Sequence, residues 1–114
     1  YNAIKMTLVG ILAIFCQSVN ADECPQSLHD LPVPKMASTC HIFLDNFPAA
    51  LSFYSPESPI NLRDFYLNAG VNITVDRQDQ GRFVLIGDQD QYRIIISRDG
   101  EGSQVDLLVN RPDE

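Results

Sequence analysis

Cys40-His41 places a thiol beside an imidazole, and Cys24 and His29 lie within reach upstream. A thiol nucleophile needs a base that approaches in space, usually from another segment, and a third group to orient it. Adjacency in sequence supplies neither. Cys24, His29, Cys40 and His41 are ligand types that zinc accepts, but their spacing matches no finger pattern. Three carboxylate pairs follow: Asp76 with Asp79, Asp88 with Asp90, and Asp99 with Glu101. All fall in turn-rich stretches, where a short acidic side chain bonds its own backbone. A glycosidase pair needs a cleft that shifts one pKa, and hairpin tips seldom build one. Asp76, Asp79, Asp99 and Glu101 are expected at one end of a meander, where oxygen ligands could take Ca²⁺, yet no EF-hand or repeat-type loop is present. There is no Gly-x-Ser-x-Gly and no glycine-rich phosphate loop. The expectation is a protein that is not an enzyme and holds no metal or cofactor.

What remains for the cysteines is a staple. Lys5 is the only charge before Asp22, and an apolar run from Met6 to Cys16 follows it. The next stretch ends in Val19-Asn20-Ala21, with small residues where a signal peptidase reads. Residues 1–21 therefore read as a signal peptide, cut between Ala21 and Asp22. Eleven apolar residues rise roughly 16 Å as a helix, against a hydrocarbon core of about 30 Å, so the run is not a membrane span. In an exported chain Cys24 and Cys40 pair, closing a loop worth on the order of 3 kcal/mol by chain entropy. The expected localisation is extracellular, or periplasmic in a bacterium.

Composition narrows the partners. Eight Lys+Arg stand against fifteen Asp+Glu, for a formal charge of −7 over 114 residues. Removing residues 1–21 takes away Lys5 and no acid, so −7 becomes −8. That balance argues against nucleic acid and anionic lipid, which both need a basic face. It favours another protein, a basic one, by electrostatic steering.

Residues 22–35 form a Pro-rich lead, expected to be extended on the surface, before a single domain over 36–114. Met36, Cys40, Phe43, Leu44, Phe47, Leu51 and Tyr54 recur at three- and four-residue steps, which predicts a helix over about 37–46 and a short second piece over 48–54. Ser58 and Pro59 predict a capped helix with Leu62, Phe65, Tyr66 and Ala69 on one face and Gly70 at its end. From Val71 the period becomes two, in runs near 71–76, 82–86, 92–97 and 104–109 separated by acidic turns. Val71, Ile73 and Val75 are expected inward. Gln78–Ile86 repeats in Gln89–Ile96, with Arg82 and Arg93 at equivalent places. The fold expectation is α+β: two or three short helices packed on one face of a four-stranded antiparallel β-meander. The junction Leu62–Leu85 resembles the small helix–strand modules of secretin N-terminal domains over about a fifth of the chain, without a specific motif, and implies nothing about a site.

Function follows as a small secreted acidic protein acting by binding, as an effector, ligand or inhibitor, with host defence or reproduction as settings in an animal. Asp79, Asp88, Asp90, Asp99 and Glu101 are its candidate binding-loop residues. Asn72-Ile73-Thr74 is a glycosylation sequon. The alternatives are a small-molecule carrier, with Phe43, Phe47, Phe53, Phe65, Tyr66 and Phe83 around a pocket, and a small secreted enzyme. The export reading has a direct check. Leu12→Arg should keep the protein in the cell with residues 1–21 attached, as read by intact mass; normal export of that variant overturns it.

Overall fold

The structure, a computed structural model, describes residues 24–44 and 46–110. The chain runs β1 (Ser27–Leu28), β2 (Leu31–Pro32), β3 (Ser38–Leu44), β4 (Ala49–Ser55), α1 (Pro59–Leu67), β5 (Ile73–Asp79), β6 (Arg82–Gly87), β7 (Tyr92–Asp99) and β8 (Gly102–Val109). β1 and β2 form a small hairpin, and the other six strands form one antiparallel sheet in the order β3-β4-β8-β7-β6-β5. Over the described residues the protein is thus mostly β with a single short helix, not the α+β fold with two or three helices on a four-stranded meander. The export signal over 1–21 and its cut at Ala21 and Asp22 lie outside the described residues.

The meander and the helix follow local sequence rules. Ser58 caps α1 by accepting the Asn61 N–H, Pro59 opens it, and Gly70 follows it with φ of 85°. Leu62 and Tyr66 are buried against the sheet. The expected helices over 37–46 and 48–54 are instead β3 and β4. Their apolar residues satisfy two periods at once. Ala49, Leu51, Phe53 and Ser55 alternate inward along β4, and each pairs in register with an inward residue of β8: Val109, Leu107, Val105 and Ser103. That long-range ladder outweighs a weak helical preference. Two irregularities in β3, with φ of 53° at Thr39, hide its alternation from sequence.

One face of the sheet is covered. Leu51, Phe53, Leu85, Ile94, Ile96, Val105 and Leu107 are buried there beneath α1 and the lead. The lead is therefore only partly a surface segment, with Gln26, Ser27, His29, Asp30 and Lys35 exposed. Leu31 is fully buried and Leu28 and Val33 nearly so, in the same core. Cys24 and Cys40 form a disulfide with Cα atoms 5.3 Å apart, tying the lead to β3 rather than to a helix. The Tyr66 hydroxyl donates to the Pro32 carbonyl at 2.7 Å, and the Tyr92 hydroxyl donates to Asp30 Oδ2 at 2.9 Å. Burial, then the Asp30 hydrogen bond, pushes the Tyr92 phenol up to about 12, and burial raises Tyr66 further.

β5 corrects a second expectation. A bulge between Ile73 and Val75 reverses its facing. Ile73 stays on the covered side, opposite Gly87, whereas Val75 pairs with Ile86 on the other face. Asp76 then turns toward α1, where its carboxylate takes both Arg63 Nε at 3.0 Å and Arg63 Nη2 at 2.5 Å. Gly87 is needed at this junction, because a Cβ there would stand 2.5 Å from the Asn72 carbonyl oxygen.

Two measurements test this account. Cys24→Ser should lower stability by about 3 kcal/mol, the entropy of the released loop, seen as a lower thermal midpoint with the fold retained; two freely alkylated thiols in the native protein would show that the staple does not form. The raised tyrosine pKa values favour the protonated phenol in the folded state. Their stabilisation is complete below pH 10 and is lost as pH climbs through 12. Tyr92→Phe should flatten that alkaline limb of the stability curve.

Candidate functional site

The acidic turns sit at opposite ends of the sheet. Antiparallel pairing brings the β5–β6 turn, with Asp79, and the β7–β8 turn, with Asp99 and Glu101, to one end. The β6–β7 turn, with Asp88 and Asp90, lies at the other end, near Asn72. Each turn has a reason to hold its shape. Gln80 and Gly81 have φ of 57° and 81°, a left-handed pair suited to a tight hairpin. Asp88, Gln89 and Asp90 all have positive φ, at 51°, 58° and 70°. Three such residues in succession are costly for L side chains, and Asp tolerates the region better than most.

Hydrogen bonds compensate. Asp88 N–H donates to the Asn72 carbonyl at 3.0 Å, and Gln91 N–H to the Asp88 carbonyl at 3.0 Å. Asn110 closes the turn from β8, its N–H on the Gln91 carbonyl at 2.8 Å and its amide on the Asp90 carbonyl at 2.9 Å. Asn110 is a residue that sequence reasoning missed; its place directly after the last strand was the available signal. Gly102 serves the other end, where a Cβ would collide with the Ser55 carbonyl.

The carboxylates are presented outward. Asp79, Asp90, Asp99 and Glu101 are exposed and Asp88 is half-buried. Among the described residues the ion pairs within 4 Å are those of Arg63 with Asp64 and Asp76, so these five acids have none. Asp76 is drawn into the Arg63 pair, and the expected four-acid group at one end is not assembled. No cluster of three His, Cys, Asp or Glu residues suited to a metal occurs among the described residues.

The remaining candidates lie apart. His29 is exposed and stacks on Phe47 at 4.3 Å, while His41 is exposed on β3 and tilts against Phe43 at 6.4 Å. Cys40 is held in the disulfide, so Cys40-His41 offers no thiol. Asn72 is exposed, as is Thr74, whose hydroxyl donates to the Ile86 carbonyl at 3.3 Å. The six aromatics do not surround one space. Phe53 and Tyr66 are fully buried in the core, Phe65 is on the outer side of α1, and Phe43 lies on the opposite face of the sheet.

On that opposite face no helix among the described residues packs. The registers place Val75, Ile86, Arg93, Leu108 and Ala50 in one row across it. Arg77, Val84, Ile95, Asp106 and Ser52 form the next. The repeat seen in sequence is explained here, since Arg82 and Arg93 both point to this face from adjacent strands. Burial raises the Asp106 carboxyl pKa, against a Gln104 hydrogen bond and the Arg82 charge that lower it. No helix among the described residues is long and apolar enough to cross a membrane. No known protein family, curated protein or solved structure matches this chain.

Proposed function

We propose that this is an exported, disulfide-stapled binding protein that meets a basic protein partner through the acidic turns of its sheet. The observation that carries the reading is the set of carboxylates at Asp79, Asp90, Asp99 and Glu101, which have no ion pair among the described residues and are exposed on turns whose backbone the sheet fixes. A rigid turn presents charge without an ordering cost at binding, and an excess of one sign steers an opposite partner during encounter. Export is supported by the Cys24–Cys40 disulfide, since such bonds persist in oxidising compartments. Asn72, exposed beside the β6–β7 turn, is the position a glycan would occupy.

The test is a capture experiment at graded salt, with the purified protein immobilised and the extracellular fluid of its source as the sample. A basic protein should be retained and should elute as salt rises, because exposed charges are screened over roughly 10 Å at 0.1 M. Asp88→Asn with Asp90→Asn should weaken capture and leave the fold intact, because Asn also tolerates positive φ. Neutralising Asp79, Asp99 and Glu101 as well should abolish it. Full retention by that variant at every salt concentration overturns the reading.

A further inference from the structure

The central strands are apolar on both faces, although among the described residues α1 and the lead pack on only one. Phe83–Ile86, Ile94–Ile96 and Leu107–Val109 are uninterrupted apolar runs. A strand with one solvated face alternates apolar and polar residues, and a continuous run marks a strand covered on both sides. The residues that break alternation here are Val84, Ile86, Ile95 and Leu108, all on the open face; Val84 and Ile86 are already buried within the chain, and Ile95 and Leu108 are left half-buried. Phe43, 67% exposed, extends this patch over Ala50 and lines a shallow groove of about 230 Å³ with Ile95 and Leu108.

Charge says what could cover it. The open face carries Arg77, Arg82 and Arg93 against Asp79, Asp99 and Asp106, a sum of zero, on a chain whose total is −7. It is therefore the surface on which two copies of this acidic chain repel least. Arg93 and Asp106 both border the groove, on neighbouring strands and diagonal to one another, and neither has an ion pair within 4 Å among the described residues. In a two-fold contact residue i of one copy meets j of the other and j meets i, so one such diagonal supplies two ion pairs. A partner of a single charge sign would satisfy only one member.

We infer that the chain forms a homodimer by packing its open sheet face on that of a second copy, with Phe43, Ile95 and Leu108 at the centre and Arg93 of each copy against Asp106 of the other. Six strands at ~4.8 Å and six residues at ~3.4 Å give a flat footprint of roughly 600 Å² per copy. Side-chain relief adds to that, toward the ~800 Å² per partner of a standard interface. Asp88, Asp90 and Glu101 lie beyond the paired strands and stay free in such a sandwich, whereas Asp79 and Asp99 border the packed face, so the assembly and the binding role are separated by testing the β6–β7 turn.

Sedimentation of the disulfide-bonded protein as isolated, from micromolar to submillimolar concentration, reads the outcome. The expected result is a species of two chains that dissociates on dilution. Phe43→Asp alters a side chain already exposed in the single chain, so the fold should survive while the dimer weakens at least about tenfold. Arg93→Asp and Asp106→Arg should each weaken it, and the two together should restore it. A single-chain species throughout overturns the inference, including one that carries a small apolar ligand or a different protein on this face. So does a dimer indifferent to Phe43→Asp, or a double charge exchange no better than either single change.

Discussion

The width of the sheet is the constraint to which the rest of the molecule answers. Six antiparallel strands span roughly 29 Å, whereas the nine residues of α1 make a rod about 14 Å long. The helix can shield β6 and β7 but not the β4–β8 half of the same face. The lead fills that gap. Leu28, Leu31 and Val33 complete a core that the helix leaves open, and three separate ties hold them there: the disulfide to β3, the Tyr66 hydroxyl on Pro32 and the Tyr92 hydroxyl on Asp30. A two-residue-per-strand hairpin has no stability of its own. Its order comes from the sheet it covers, and the sheet's dry core comes from it.

The same geometry sorts charge. Strand ends collect the acids because turns need residues that accept positive φ, and Asp does so at Asp88 and Asp90. The helix side absorbs Asp76 into a pair with Arg63, whose guanidinium also lies over the Phe83 ring at 5.7 Å. That pair is partly exposed and screened by solvent, so it adds little to stability. Its consequence is positional, since it removes Asp76 from the acidic end. The open face keeps Arg77, Arg82 and Arg93, a residue type whose long stem can cover apolar neighbours while its head reaches water. A strongly acidic chain thus has acidic ends and one nearly neutral broad side.

Much of the fold's local detail was legible, for identifiable reasons. Ser58, Pro59 and Gly70 mark a helix by cap chemistry that acts within a few residues. Gln80-Gly81 and Gly100 mark hairpins by φ requirements that only a few residue types meet. The pairing of Cys24 with Cys40 followed from having two cysteines in a chain read as exported. The turns that carry Asp79, Asp88, Asp90, Asp99 and Glu101 were placed by the same local logic, and so was their division between two ends of the sheet.

Sequence by itself determined the elements whose cause is local: one capped helix, the four strands of the C-terminal meander, their turns and the sign of the net charge. Tertiary structure decided everything whose cause is distant. Residues 38–55 carry apolar spacings that suit a helix or a strand, and the choice fell to β8, more than fifty residues away, whose inward Val105, Leu107 and Val109 match Phe53, Leu51 and Ala49. The bulge that turns Val75 outward and Asp76 toward Arg63 depends on where Gly87 lets the chain approach. The burial of Leu31 depends on a helix too short for its sheet. A pattern in sequence records what a segment can do, and the area it can bury against partners far along the chain determines what it does.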